Sequence, residues 1–154
     1  MLKKNDEIYL TVKSCTVQGS GVCDHDGMTV FVRGAVTGDR VLAHIIKVKK
    51  TYAVGIIKKL VQRSPMRAKN FCPIAEKCGG CCFAHIKYES ELEIKAQQVA
   101  DNFKRLGKLD ITPAPIIPSP SAERYRNKAQ YPVGSDGRFA TIGFYAPMTH
   151  RIID

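Results

Sequence analysis

The 154-residue sequence has no tryptophan, few acidic side chains and no apolar run near the ~20 residues that a membrane-spanning helix requires. A helical membrane span is thereby excluded. The opening residues, Met1-Leu2-Lys3-Lys4-Asn5-Asp6, lack the apolar core and small-residue cleavage site of a secretion signal. No internal repeat or low-complexity tract is present, which sets aside solenoids and fibres. With 44% hydrophobic and 25% charged residues, the composition fits a folded chain and not a disordered one. Its length suits one domain or two small ones. The six cysteines are therefore expected in a reducing, cytoplasmic setting, where clustered thiols bind metal or do chemistry more often than they form disulfides.

Against 14 Asp+Glu stand 24 Lys+Arg, giving a formal charge of +10. Nearly all of that excess lies in residues 1–87. Such a segment attracts phosphate backbones through counterion release. A merely solubilising surface explains the same charge, and no amphipathic basic helix points to an anionic membrane.

The first 62 residues read as strands. Ile8, Leu10 and Val12 alternate with Tyr9, Thr11 and Lys13, the period of a half-buried strand. Asp26-Gly27 predicts a tight hairpin between Val22-Cys23 and Val30-Phe31-Val32. Val41, Ala43 and Ile45 predict a fourth strand, and Tyr52 to Val61 a fifth, with Gly55 as a bulge or kink. Five short strands in about 60 residues suggest a small closed barrel. Beyond the basic connector Arg63–Phe71, the pattern changes. Ser90 and Glu93 have capping-box spacing for a helix over about 90–106. Its stripe of Leu92, Ala96, Val99, Phe103 and Leu106 is expected to face a core, with Gly107 as the left-handed stop. Pro113, Pro115, Pro118 and Pro120 make an extended connector. Lys128–Val133 and Phe139–Tyr145, joined by Gly134-Ser135-Asp136-Gly137, predict a β-hairpin. The expected architecture is mainly β: a five-stranded, oligonucleotide-fold-like barrel over 1–62, then an incomplete α+β unit over 63–154. One helix and one hairpin bury little at this size, so the second unit is expected to continue past residue 154.

The strongest chemical signal is Cys72-x5-Cys78-Gly79-Gly80-Cys81. Three thiols within ten residues, on a loop that glycines let curl, can converge on one soft metal centre. Lys77 and Lys87 favour thiolates. Cys82 adjoins Cys81 and is poorly placed as a fourth ligand, while Cys15 and Cys23 read as small core residues. His85 would complete a Cys3His zinc site. Spacing leaves three readings open: an iron–sulfur cluster, zinc, and a metal-free loop.

Taken together, Cys72–Cys81, the trailing His85, Tyr88, Leu92 and Lys95, and the barrel marks Gly21-Val22, Asp26-Gly27, Gly34–Asp39 and Lys49–Ala53 resemble the bacterial 23S ribosomal RNA uracil-5-methyltransferases, which open with a TRAM domain. Arg124–Lys128 and Gly143–Pro147 resemble the hairpin of their central domain. The resemblance covers essentially the whole chain, in order. It implies a [4Fe–4S] cluster on Cys72, Cys78 and Cys81, with a fourth cysteine just beyond residue 154. It also implies an S-adenosylmethionine site, a nucleophilic cysteine and a general base in a later domain, so no catalytic or cofactor-binding residue is assigned in this chain. Ribosomal RNA is the implied partner of a monomeric, cytoplasmic protein. The candidate RNA contacts are Lys47, Lys49, Lys50 and Tyr52 on the barrel, Arg63, Arg67 and Lys69 on the connector, and Arg126 and Lys128 on the hairpin. Each charge is equally readable as solvated surface, and Tyr52 as packing. The alternative, from another class, is a self-sufficient RNA-binding module with a Cys3His zinc site.

Overall fold

A computed structural model describes residues 2–135 and 137–154. The barrel region forms one six-stranded sheet from β1 (Glu7–Thr11), β2 (Ser14–Cys15), β3 (Ser20–His25), β4 (Met28–Arg33), β5 (Arg40–Val48) and β6 (Tyr52–Gln62). Its order is β1-β5-β6-β4-β3-β2, and every pairing is antiparallel except β4 with β6. The two outer strands are consecutive stretches of chain, with only Val12 and Lys13 between them. The Val12 N–H donates to the Asp39 carbonyl (2.9 Å) and the Lys13 N–H to the Val22 carbonyl (2.8 Å). One bent strand thus pairs with β5 by its first half and β3 by its second, so the sheet curls onto itself and hides its edges. The expected strands are all found. The sixth, β2, is the short continuation of the first.

Strict alternation explains the core. Val30, Val32, Val41, Ala43, Ile45 and Ala53 point inward and are fully buried, with Leu10, Val12 and Cys23 beside them. Asp26 and Gly27 adopt φ of 51° and 80° between the paired His25 and Met28, the two positive values a type I′ hairpin turn needs. The irregularity expected at Gly55 sits on the facing strand, where the β5 register slips between Ile45 and Lys47.

A buried carboxylate joins the barrel to the connector and the helix. Asp39 is wholly enclosed. It accepts from the backbone N–H of Val36 (2.7 Å) and Ser64 (2.9 Å), and from Arg67 Nε (2.9 Å) and Nη2 (2.6 Å). Arg67 Nη2 also donates to the Gly34 carbonyl (2.7 Å). Arg67 then bridges to Ile86, and the Ala68 N–H donates to the His85 carbonyl (3.0 Å).

Helix α1 (Tyr88–Arg105) starts two residues earlier than predicted. Its N-cap is Lys87, without a side-chain cap; Ser90 is buried inside the helix, so the capping box does not form. Glu89 and Glu91 in the first turn and Lys104 and Arg105 in the last suit the helix dipole instead. The helix docks through Ile94 onto Cys15, Val36 and Ile86. The predicted stripe does not become core: Val99, Phe103 and Leu106 are 42%, 39% and 80% exposed. The helix meets the barrel through Ile94 and through Gln98, whose Nε2 donates to the Cys15 carbonyl (3.2 Å). The left-handed residue after it is Lys108 (φ 56°), not Gly107.

The predicted hairpin divides in two. β7 (Val133–Ser135) pairs with β8 (Ala140–Ile142), and β9 (Phe144–Tyr145) pairs with β10 (Ile152–Ile153), all antiparallel. Gly143 interrupts the second arm, its N–H donating to the Pro132 carbonyl (3.4 Å). The predicted turn includes Asp136, outside the described residues. These two ladders stay separate from the barrel sheet, and the described residues assemble no layered α+β domain.

Breaking a buried ion pair from one side leaves the other charge stranded. Arg67→Met is expected to cost about 3–5 kcal/mol in reversible chemical denaturation. Adding Asp39→Asn should restore part of that loss, a non-additivity read directly from the double-mutant cycle.

Candidate functional site

The cysteine loop leaves the clamped connector, curls and returns. Lys77 and Cys78 both donate their N–H to the Ile74 carbonyl (2.9 Å each), which folds the stretch between the first two cysteines into a turn. The Gly80 N–H then donates to Cys78 Sγ (3.3 Å), the kind of bond that stabilises a thiolate ligand. The loop lies directly on β9. The Gly79 N–H donates to the Tyr145 carbonyl (3.0 Å). A Cβ at Gly79 would meet that oxygen at 2.5 Å, and one at Gly80 would meet the Phe144 ring at 2.9 Å. Only glycine allows so close an approach at either position. Phe144 is held in turn by an edge-on Tyr131 (5.1 Å), and Tyr145 by His150 (5.5 Å). On the other side, the Cys82 backbone packs against Gly19 in the β2–β3 turn. The loop is therefore wedged between the barrel and β9.

All six cysteines are free thiols. Cys15 and Cys23 are buried core residues, as predicted, and burial pushes the Cys23 thiol up to about 11. Cys72 and Cys78 are half-buried, while Cys81 and Cys82 face solvent. Partial burial raises the Cys81 thiol above its ordinary value; the nearby Cys78, Cys72 and Cys82 push the same way, and Arg126 opposes them. Four sulfurs and one guanidinium therefore share a neighbourhood. A cationic metal centre would relieve the mutual repulsion of these sulfurs. The donor set suits a soft metal in kind. Yet among the described residues no three His, Cys, Asp or Glu side chains are gathered closely enough to hold an ion, so the loop would have to close further to ligate one.

His85, the predicted zinc ligand, lies elsewhere in character. Its Nε2 is enclosed without a hydrogen-bond partner, and burial, then Arg67, hold the imidazole below its ordinary value, with Asp39 opposing. Its surroundings are the buried ion pair, and no Cys3His site is formed among the described residues.

The structure sorts the predicted RNA contacts by exposure. Lys47, Lys49 and Lys50 project from the β5–β6 hairpin, whose turn is closed by the Lys49 N–H on the Tyr52 carbonyl (2.8 Å). Tyr52 is half-buried, edge-on to Phe31 at 5.8 Å. Arg63 is exposed and donates to the Ala68 carbonyl (3.0 Å); Lys69 and Lys128 are exposed. Arg126 is exposed and stacks 5.8 Å from the Tyr125 ring. Arg67 is the exception. Its guanidinium is committed to Asp39 and Gly34, 10% exposed, and is withdrawn from any phosphate. Sequence reasoning missed the role of Asp39, which entered only as the end of the Gly34–Asp39 barrel mark; its signal was a solitary carboxylate in a long basic stretch. It also missed Phe144 and Tyr145 as the seat of the cysteine loop, a pairing over 60 residues apart that no local spacing reveals.

No helix among the described residues is long and apolar enough to cross a membrane. No family model matches the chain. Over 154 residues it is 40% identical to an uncharacterized RNA methyltransferase of Halalkalibacterium halodurans, covering 99% of this chain and 34% of that protein. An uncharacterized RNA methyltransferase of Clostridium tetani is 39% identical over 153 residues, 99% of this chain and 33% of its own length. One of Listeria monocytogenes is 39% identical over 154 residues, 100% of this chain and 34% of its own. The chain thus spans about a third of the length of the curated relatives it matches.

The depressed imidazole of His85 has a signed consequence. Below its ordinary value of 6.5 the unfolded chain binds the proton more readily than the folded one. Stability is therefore full above that pH and falls as the pH drops through it. His85→Gln should flatten the decline in denaturation midpoint between about pH 7.5 and 5.5 relative to the parent chain.

Proposed function

We propose that this chain is the N-terminal, RNA-gripping part of an S-adenosylmethionine-dependent RNA methyltransferase, and that the parent enzyme methylates C5 of a uracil in 23S ribosomal RNA. One observation carries the reading. A basic hairpin on a curled barrel is joined, through one buried ion pair, to a thiol loop, in a chain similar from end to end to proteins named RNA methyltransferases. No residue here is given a part in the methyl transfer; the nucleophile, base and methyl-donor site belong to the remaining two thirds.

The work assigned to this chain is binding and orientation. A uracil inside a stacked RNA must be turned out before its C5 can be reached, at a cost of a few kcal/mol. Lys47, Lys49 and Lys50 on the hairpin, Arg63 and Lys69 on the connector, and Arg126 and Lys128 near β7 can offset that cost by neutralising phosphates. Tyr52 offers a ring face beside them. Cys72, Cys78 and Cys81 are the residues that would hold a [4Fe–4S] cluster, with a fourth ligand from outside the chain. Bound there, it would supply a cross-link to a loop that has few apolar contacts of its own. The free thiols and the Gly80 N–H on Cys78 Sγ support this choice. The same reading makes the protein a cytoplasmic monomer.

Anaerobic reconstitution with ferrous iron and sulfide tests the cluster. The chain should turn brown and retain both elements. Replacing Cys72, Cys78 or Cys81 singly by Ser should lower bound iron severalfold, whereas Cys82→Ser should not. Equal retention by all four variants would remove these three sulfurs as ligands. For RNA, the paired reversal Lys49→Glu/Lys50→Glu should weaken affinity and flatten its salt dependence by about two phosphate contacts.

A further inference from the structure

The turn between β2 and β3 lies against the cysteine loop without clearance. Gly19 has φ 72°, and a Cβ there would overlap the Cys82 carbonyl oxygen and lie 3.2 Å from the Cys82 Cβ. Gly27, in the β3–β4 hairpin, has a similar φ of 80° and nothing within 4 Å of its own Cβ position. Left-handed backbone is therefore one demand on Gly19, and closeness to Cys82 is a second.

The turn is the stiffer of the two partners. The Thr16 N–H donates to the Ser20 carbonyl (2.8 Å), the Gly19 N–H to the Thr16 carbonyl (3.0 Å) and the Ser20 N–H to Thr16 Oγ1 (3.2 Å). Strand β2 before it is tied to α1 by Gln98 on the Cys15 carbonyl. Cys81 and Cys82 make no hydrogen bond among the described residues. An overlap at Gly19 is thus relieved by moving Cys82. That movement reaches Cys81, one peptide and ~3.8 Å between Cα atoms away. At the other end, Gly79 follows Cys78 and is hydrogen-bonded to the Tyr145 carbonyl (3.0 Å), with Gly80 against the Phe144 ring. The run from Cys78 to Cys82 is held between two jaws, β9 beside Cys78 and the barrel turn beside Cys81. Neither jaw contributes a sulfur. Together they set how far apart Cys78 and Cys81 stand.

We propose that Gly19 is a positioning residue for a metal centre: the β2–β3 turn of the barrel holds the Cys82 backbone so that Cys81 can share an iron–sulfur centre with Cys72 and Cys78, and loading that centre stiffens the turn in return. The proposal rests on the cluster reading above and adds the barrel as part of the loop's support. Linkage requires both directions, because a turn that favours the loaded loop is itself favoured by loading. Cys82 acts here through its backbone, so its sulfur is dispensable.

The test reconstitutes the whole chain anaerobically with ferrous iron, sulfide and a small thiol for the outside ligand, then strips it with an iron chelator. Gly19→Asn keeps a residue that tolerates left-handed backbone and adds the Cβ; it should lose iron at a ~10-fold lower chelator concentration than the parent. Gly27→Asn makes the same change in open space and should match the parent. Hydrogen–deuterium exchange on the unaltered chain gives a readout that no folding defect can disturb. Loading with iron and sulfide should slow exchange at residues 16–20 and leave the Asp26-Gly27 turn unchanged. Parent-like retention in a folded Gly19→Asn variant, an equal loss in Gly27→Asn, or exchange at 16–20 indifferent to loading would overturn the coupling while leaving the three ligands in place. A parent chain that retains no iron would remove the cluster reading and this inference together.

Discussion

Everything after the barrel depends on one buried carboxylate. Asp39 has no access to water, so its charge must be satisfied from within. Two backbone N–H groups and the Arg67 guanidinium do this, and they come from the β4–β5 loop and from the connector beyond β6. The same arginine bridges to Ile86, just before α1. Residues 69–84 therefore form a loop whose two ends are pinned by one hub. Such a loop can carry chemistry because a rigid base fixes its ends while its tip stays adaptable. A metal gripped at 72, 78 and 81 would tighten a closure that the protein has already half made, and the entropic cost of closing a short, pre-pinned loop is correspondingly small.

The two halves of the chain are stabilised differently. The barrel packs Val, Ala and Ile at every second position into one buried cluster. Beyond α1 the apolar side chains have no such arrangement. Tyr131, Val133, Phe139, Ile142 and Tyr145 are largely exposed, and only Ala146 is buried among the described residues of that region. Glycine contacts replace core packing there: the cysteine loop is held by a backbone bond and a ring contact, not by interdigitated side chains. A covalent or metal staple would contribute most where apolar burial contributes least.

Those differences decide what could be read in advance. Val30, Val32, Val41, Ala43 and Ile45 announce their strands because alternation is a local signal, and Asp26-Gly27 announces its turn because positive φ is a property of those two residues alone. The cysteine spacing likewise reads as a donor set. The features that stayed hidden were long-range. Nothing local in Ser90 says that Lys87 will cap the helix. The Val99–Phe103–Leu106 stripe has a helical period whether or not anything covers it. The split of the last hairpin arises from Gly143 turning toward Pro132 and from Ile152 reaching back to Tyr145, pairings that periodicity does not encode.

Positive charge shows the same limit most clearly. In sequence, Arg67, Arg126 and Lys49 are interchangeable contributions to a net +10. In the fold they do three different things. Arg67 turns inward and holds the architecture together against Asp39. Arg126 stacks near Tyr125 and favours the thiolate form of Cys81, where it serves the sulfur cluster as readily as a phosphate. Lys49 stands in solvent on a tight hairpin, with no ion-pair partner among the described residues. Desolvation separates these roles: a guanidinium beside a buried carboxylate interacts through a weakly screening interior, whereas an ammonium in water is screened within about 10 Å and acts only on nearby charges. A polyanion does come close, and brings many charges at once. The exposed lysines gain their function from that multiplicity, while Arg67 has a fixed partner whatever binds outside.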